Sequence, residues 1–160
     1  CTDEEESARA LHELKKQGYD KPIIGETTLT GQKVIELAGD AGNGAVAHVG
    51  LTVDAPQPGI KVFDEKFQKE FKYKRDHNGM KGYTGMYVVK AITEKIGKFD
   101  PKAFAQALHG AIVFVKDTPG VLLDVHFDDQ GDQDRESFLV RIVGGKQVVT
   151  ATLPPVSPIM

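Results

Sequence analysis

The stretch KPIIGETTLTGQKVIELAGDAGNGAVAHVGLTV, residues 21–53, alternates short apolar runs with a helical pattern and glycine-rich turns. Its first apolar run predicts a short buried strand at residues 21–25. A helix is predicted at residues 31–38, with Thr30 as its N-cap, and a strand at residues 45–53. Strand, helix and strand in this order are typical of a parallel α/β sheet.

A capped helix precedes this stretch. Thr2 and Glu5 have the S/T-x-x-E spacing of a capping box, and Leu11 and Leu14 continue a helical pattern that ends at Gly18. Doubly wound domains normally begin with a strand. A helix at the start therefore indicates either an unusual arrangement of the sheet or missing preceding strands, and we expect the latter.

Beyond residue 53 the pattern changes to three successive helices. The first follows two prolines, the second is predicted at residues 81–96 after a break at residues 76–79, and the third begins at Asp100 and Pro101. Apolar side chains at helical spacing define the faces of the first two helices: Val62, Phe63, Phe67 and Phe71, then Tyr83, Met86, Val89 and Ile92. Three helices without an intervening strand predict a layer on a different sheet.

The last third of the chain is rich in β-structure. Strands are predicted at residues 112–115, 121–127 and 138–143. Gly144-Gly145 predicts a hairpin turn from the third of these into a strand at residues 147–152.

Charge and composition exclude several classes of protein. A net charge of -3 and a pI near 6.0 do not provide the basic face that nucleic-acid binding needs. No apolar run approaches the roughly 20 residues that span a bilayer. The only cysteine, Cys1, is either the acylated first residue of a lipoprotein or an ordinary residue where the chain begins.

Motifs for catalysis and for cofactors are incomplete. The five histidines lack metal-ligand spacing, and no G-x-S-x-G elbow is present. The glycines at residues 42–44 lead into a strand, whereas a dinucleotide loop leads into a helix. An EF-hand loop starting at Asp128 would have Gln133 in place of glycine and Leu139 in place of glutamate. We expect a protein that is not an enzyme and holds no metal or cofactor.

Two polar groups are candidate ligand contacts. Glu26, Thr27 and Thr28 follow a predicted strand, and the carboxyl ends of strands face the ligand crevice in open α/β sheets. The threonines would equally suit a helix cap. Tyr83, with Lys81 just before it, offers an aromatic face for a side chain or an ammonium group. A core position for Tyr83 is the alternative.

Together, these elements resemble the solute-binding proteins of branched-chain amino acid ABC transporters, which have the type 1 periplasmic-binding fold. The resemblance covers most of the chain and rests on stretches in the family's order: LKKQGY and PIIGETT, AGDAGNGAV, FQKEF with GYTGMYVVKAI, and PGVLLDVHFDDQGD with FLVRIVGGKQV. It implies part of a two-lobed, doubly wound, Rossmann-like α/β fold whose N-terminal half is missing.

The family's lobes imply a domain organisation. Residues 1–51 look like part of the C-terminal lobe. Residues 52–122 look like a segment of three helices and a strand that returns to the N-terminal lobe. Residues 123–152 look like the final crossing and the last strands of the C-terminal lobe, followed by a tail at residues 153–160.

The resemblance also implies residue roles. Relatives place an acid that meets the ligand's ammonium group where this chain has Thr27, one residue after Glu26. Tyr83 stands where relatives have an aromatic near the cleft, and Thr84 replaces their usual aspartate. The part that grips the ligand's carboxylate belongs to the missing half, so this chain alone is expected to bind poorly.

The expected function is periplasmic binding of a small amino-acid-like ligand for a membrane permease, with lipid anchoring of the full-length protein through Cys1 left open. An amide or amino-acid sensor of the same fold is the alternative, and a doubly wound enzyme is a third hypothesis that no catalytic motif supports. A half-molecule leaves sheet edges uncovered, so we expect pairing with the missing half or with a second copy of the chain.

Overall fold

A computed structural model describes residues 2–73 and 77–157, so Cys1 and Asp76, at the predicted helix break, lie outside the described residues. The helices are α1 (Glu4–Lys16), α2 (Gln32–Ala38), α3 (Pro58–Phe71), α4 (His77–Ile96) and α5 (Pro101–Leu108). The strands are β1 (Ile24–Glu26), β2 (Val46–Val49), β3 (Ile112–Val113), β4 (Val125–Phe127), β5 (Gln133–Asp134), β6 (Ser137–Val143) and β7 (Lys146–Leu153). Short 3₁₀ helices occupy Thr27–Thr30, Gly39–Gly42 and Pro119–Val121.

The chain divides into two compact units. The first extends to Ala55 and also includes Ser137–Leu153, and the second comprises Pro56–Glu136 and the residues after Leu153. The sequence predicted changes of unit after residues 51 and 122. The second change falls later in the structure because β4 pairs with β3 and β5, which keeps residues 123–136 in the second unit.

The first unit is a four-stranded sheet in the order β1-β2-β6-β7. The β1–β2 pair is parallel, as predicted, and β6 and β7 add antiparallel strands. Helices α1 and α2 supply the apolar residues that pack with this sheet. The buried cluster consists of Ala8, Leu11, Val34, Ile35, Ala38, Ala45 and Ile142.

The cap of α1 is displaced by one residue from its predicted position. Asp3 is the N-cap and forms a capping box with Glu6, where Thr2 and Glu5 were predicted. The Asp3 carboxylate accepts from the Glu6 N–H at 2.8 Å. Thr2 with Glu5 and Asp3 with Glu6 both have the spacing of a capping box, and the helix uses the second pair.

The structure differs from two further expectations, one about strand β1 and one about the start of helix α2. The prediction of a buried strand around Ile23 and Ile24 was wrong for Ile24, which is 76% exposed, whereas Ile23 is half-buried and packs against the core cluster. The N-cap of α2 is Gly31, and no side chain caps this helix. Thr30 is instead fully buried and accepts a hydrogen bond from the Gln147 side chain, Nε2 to Oγ1 at 3.0 Å.

The second unit contains the three-stranded antiparallel sheet β3-β4-β5 together with α3, α4 and α5. Its buried cluster consists of Val88, Ile92, Ala111, Val113, Val121 and Val125. The prediction of a single strand at residues 121–127 was wrong. A 3₁₀ turn ends at Val121, and Leu122 has a φ of 65°, which interrupts extended backbone before β4 begins.

The buried face of α4 differs from the predicted one. Met80, Thr84, Val88 and Ile92 are buried, at a strict four-residue spacing. Tyr83, Met86 and Val89 were predicted on the core face but are exposed. Both sets have helical periodicity, and the glycines and small residues between them leave the apolar pattern of α4 ambiguous.

Two local predictions are confirmed. Gly144 and Gly145, with φ of 56° and 74°, form the hairpin turn between β6 and β7. Asp100 caps α5, and its carboxylate accepts from the N–H groups of Lys102 and Ala103 at 3.0 Å each.

Candidate functional site

The candidate residues of the first unit follow the carboxyl end of β1. Glu26 is the last residue of the strand and is exposed, and Thr27 and Thr28 begin the 3₁₀ helix that follows. Gly25 lies against Leu29, where a Cβ atom at position 25 would come within 2.6 Å of the leucine side chain. The absence of a side chain at Gly25 therefore permits the abrupt change from strand to 3₁₀ helix that presents these three residues.

The structure adds two polar residues to this edge. His48 of β2 is the register partner of Glu26, and both side chains are exposed. The His48 Nε2 atom lies 2.9 Å from the Ser137 Oγ atom at the start of β6. In the sequence, His48 is one of five histidines without metal-ligand spacing. Alternation along the strand puts His48 on the face opposite Ala47 and Val49, which are apolar, but its pairing with Glu26 follows only from the strand register.

The alternative in which Thr28 or Thr30 caps the next helix does not describe this structure. Gly31 occupies the N-cap position of α2, and the 3₁₀ helix also lacks a side-chain cap. Thr27 and Thr28 are partly buried. Within residues 2–73 and 77–157, no hydrogen bond or ion pair engages the Glu26 carboxylate, which leaves it available to an external cation.

Tyr83, in the second unit, belongs to a row of aromatic rings. Its centroid lies 4.7 Å from the Phe63 ring and 5.0 Å from the Tyr87 ring, both tilted. The row continues through Phe67 to Phe71, with centroid separations of 5.7 and 4.6 Å. Tyr83 is 37% exposed, so one part of its ring packs in this row while the rest faces solvent.

The hydroxyl group of Tyr83 is held by Tyr87. The Tyr83 hydroxyl donates to the Tyr87 hydroxyl over 3.5 Å. This hydrogen bond, together with burial and the charge of Tyr87, raises the pKa of Tyr83 to about 12. The phenol therefore stays protonated at neutral pH and can serve as a hydrogen-bond donor or as an uncharged aromatic surface.

Lys81 and Tyr83 do not lie on the same face of α4. Lys81 lines a cavity of about 270 Å³ together with Thr84 and Val88, whereas Tyr83 packs against Phe63. Residues two apart on a helix point in different directions, which explains the separation. The five predicted contacts thus form one group in the first unit, Glu26 to Thr28, and two separate positions in the second.

The acidic segment after β4 is a hydrogen-bonded turn. The Asp128 carboxylate accepts from the N–H groups of Gln130 and Asp132, at 2.8 and 2.9 Å. These hydrogen bonds, the one from Asp132 above all, lower the pKa of Asp128. Among the residues that the structure describes, no three histidine, cysteine or acidic side chains are grouped to hold a metal ion. No helix in the described ranges is long and apolar enough to cross a membrane.

These features define a mixed α/β protein with exposed polar side chains at the end of its parallel strand pair, where ligands bind in open α/β sheets. The sequence model of the periplasmic binding protein family matches residues 1–147. The chain therefore belongs to the periplasmic binding protein family. The proteins of this family bind solutes and are not enzymes. A search of curated proteins found no significant match.

Solved structures of binding proteins have the same fold. A leucine-binding protein from Thermotoga maritima matches with a TM-score of 0.81 and 19% identity over 96% of this chain. A branched-chain amino acid transporter substrate-binding protein from Streptococcus pneumoniae, solved with isoleucine, matches with a TM-score of 0.74 and 16% identity over 98% of this chain. A benzoate-bound solute-binding protein from R. palustris matches with a TM-score of 0.75 and 19% identity over 95% of this chain. This chain spans 43%, 43% and 41% of those chains, so it corresponds to less than half of the fold.

Proposed function

We propose that this chain is part of an extracytoplasmic protein that binds a small amino-acid-like solute and delivers it to the membrane permease of an ABC transporter. The observation that supports this most directly is the Glu26 carboxylate. It is exposed, follows a parallel strand at its carboxyl end, and no described residue pairs with it. An ammonium group is the natural partner of such a carboxylate.

The proposed ammonium contact consists of Glu26 with Thr27 and Thr28. The resemblance implies that the acid of relatives corresponds to Thr27, and Glu26, one residue earlier in the sequence, supports the proposal as the carboxylate that could take its role. The threonine hydroxyls would complete the contact as acceptors for the remaining N–H groups of an ammonium ion. His48, opposite Glu26 in the strand register, borders the same position.

Tyr83 and Lys81 are proposed as further ligand contacts. The Tyr83 ring is partly exposed and is fixed in position by the rings of Phe63 and Tyr87. A rigid aromatic surface suits an apolar amino-acid side chain and also attracts an ammonium group. Lys81 is exposed and would attract a carboxylate.

Calorimetry on the full-length protein tests the ligand class. The S. pneumoniae relative was solved with isoleucine and the R. palustris relative with benzoate. Leucine and isoleucine should therefore be compared with 4-methylpentanoate, which lacks leucine's ammonium group, and with benzoate. We expect the amino acids to bind more tightly than 4-methylpentanoate, because only they engage Glu26.

Substitution of Glu26 separates the ammonium contact from the rest of the site. Glu26→Gln should weaken leucine binding about 10- to 100-fold, the range for a lost charge-assisted hydrogen bond, and leave 4-methylpentanoate binding unchanged. Glu36→Gln, the same change on α2, is the matched control and should have no effect. Equal leucine affinity in Glu26→Gln and the unaltered protein would exclude the proposed contact. If no amino acid or carboxylate binds or raises the melting temperature, the ligand class itself is wrong.

The partners follow from the same proposal. Deletion of the protein should abolish uptake of the bound amino acid by intact cells, because the permease receives solute from its binding protein. Light scattering on this chain should show a dimer, or a complex where the remaining part of the lobes co-purifies with it. A stable monomer would contradict that expectation of assembly without affecting the ligand assignment.

A further inference from the structure

The second unit contains a cavity with an unusual combination of lining groups. It has a volume of about 270 Å³, and its walls include the apolar side chains of Val88, Phe104, Leu108 and Phe127. Lys81, Thr84, Gln133 and Arg135 provide its polar groups. A cavity of this size holds a small organic molecule as well as water.

The hydroxyl group of Thr84 has no partner in this cavity. Thr84 is 3% exposed, and its Oγ1 atom is buried without a hydrogen bond to any residue in the described ranges. Buried hydroxyl groups are normally paired, because removal from water without a partner is unfavourable. A hydroxyl that lines a cavity can be satisfied by a ligand inside it.

Arg135 is the second group without a partner. Within residues 2–73 and 77–157, no ion pair or hydrogen bond engages its guanidinium group, although the side chain is largely shielded from water. Burial lowers the pKa of Arg135 to about 10, so the group remains charged at neutral pH. A shielded cation without an anion is unfavourable, and a bound anion would compensate it.

Two carboxylates that line a cavity with Arg135 are engaged by other groups. Arg135 also lines a neighbouring cavity that Asp124 and Glu136 share. The Asp124 carboxylate accepts from the Val115 N–H at 2.7 Å, and the Glu136 carboxylate accepts from the side chain of Gln57. Neither forms an ion pair with Arg135 among the described residues. The guanidinium therefore has its donors free for a ligand.

We propose that this cavity binds a small organic carboxylate with an apolar body, at a site separate from Glu26 and Tyr83. The planar guanidinium of Arg135 matches a carboxylate in two parallel hydrogen bonds, and the Thr84 hydroxyl can donate a further one. The rings of Phe104 and Phe127 contact the apolar part. The occupant is a monocarboxylate, because Arg135 provides one planar fork and most of the other lining side chains are apolar.

Calorimetry with benzoate, benzamide and inorganic phosphate tests this site in the full-length protein. Benzoate should bind, whereas benzamide, which has the same shape but no charge, should bind at least tenfold more weakly. Arg135→Gln should reduce benzoate affinity at least tenfold, and Arg135→Lys, which keeps the charge but loses the planar fork, should restore only part of it. Thr84→Val should weaken binding severalfold, with Thr84→Ser as the control that keeps the hydroxyl.

The location of binding distinguishes this site from the proposed amino-acid contacts. Glu26→Gln and Tyr83→Ala should leave benzoate affinity unchanged, and the anomalous signal of 4-bromobenzoate in crystals should lie between α4 and α5. Benzoate binding that depends on Tyr83 and not on Arg135 would overturn the proposal, as would binding of phosphate without benzoate. Absence of benzoate binding while leucine still binds would also overturn it, and would leave the amino-acid function intact.

Discussion

Gly120 lies directly against the ring of Tyr87, and a Cβ atom at position 120 would come within 2.3 Å of the ring carbons. The ring of Tyr87 also contacts the ring of Tyr83, and the Tyr83 hydroxyl donates to the Tyr87 hydroxyl. The turn that contains Gly120 therefore fixes the position of Tyr87 and, through it, that of Tyr83. A residue in a connecting turn thus determines where a proposed ligand contact is placed.

Replacement of Gly120 should destabilise the protein. Gly120→Ala forces the Tyr87 ring to move, and overpacking of this kind costs about 1–3 kcal/mol of the free energy of unfolding. Gly82→Ala in α4 is the matched control, because a Cβ atom there meets nothing within 4 Å. We expect the control to stabilise the helix by about 0.5–1 kcal/mol. Urea unfolding of both variants measures the difference, and equal midpoints would show that Tyr87 is not fixed by Gly120.

Removal of the Tyr87 hydroxyl should change the titration of Tyr83. The pKa of Tyr83 is raised to about 12 mainly by its hydrogen bond to Tyr87. In Tyr87→Phe, this hydrogen bond and the charge of Tyr87 are lost, so the pKa should fall towards 10, with burial keeping part of the shift. Tyrosinate absorbance against pH, compared with Tyr83→Phe to assign the step, measures the change. An unaltered high-pH step in Tyr87→Phe would refute the assigned cause.

Loss of the buried Thr30 hydroxyl should weaken the first unit. The Gln147 Nε2 atom donates to both the carbonyl oxygen and the Oγ1 atom of Thr30, at 2.8 and 3.0 Å. Thr30→Val keeps the shape but leaves one N–H group unpaired, at a cost of about 1–3 kcal/mol. Thr152→Val, at an exposed position of β7, should change the free energy of unfolding by less than about 0.5 kcal/mol. Thermal unfolding of the two variants should therefore differ by several degrees.

The cap of α5 should make stability depend on acid pH. Hydrogen bonds from the backbone N–H of Ala103 and from Lys98 lower the pKa of Asp100 below its ordinary value of 3.8. A carboxylate with a lowered pKa in the folded state contributes stability above pH 3.8, and this contribution is lost as the pH falls through the folded-state value.

The test of this cap compares two variants. Asp100→Asn keeps a capping side chain without charge, so its difference from the unaltered protein should be present at pH 7 and vanish in acid. Asp100→Ala lacks both charge and acceptor and should remain less stable at every pH. Denaturant unfolding from pH 7 down to about pH 2 measures both. A constant difference for Asp100→Asn across this range would exclude the charge as the cause.

Sequence patterns located the elements whose cause is local. Gly144-Gly145 sets its hairpin through backbone conformation alone, and Asp100 caps α5 through its own side chain. The order of elements and the resemblance to the family likewise led to the correct fold. The local pattern put Glu26 directly after a strand, one residue from its observed position as the last residue of β1, and its role in binding stays a prediction.

Features that depend on tertiary contacts were not predictable in this way. Thr30 has the residue type of an N-cap, yet its hydroxyl bonds to Gln147, 117 residues away along the chain. In α4, helical periodicity fits both the face that contains Met80 and the face that contains Tyr83. Which of the two faces is buried depends on the neighbours that pack against the helix. Pairing of His48 with Glu26 requires the strand register, which no single segment encodes.

The short length of β1 has a consequence for how the ligand preference of this protein can evolve. Its three residues pair with β2 alone, at the end of the sheet, while the stability of the unit depends on the longer strands and the two helices beneath them. Of the three proposed contact residues at positions 26–28, Glu26 is exposed, so its replacement leaves the buried cluster of the unit intact. If Glu26 contacts the ligand as proposed, this position can change the solute that is bound at little cost in folding stability.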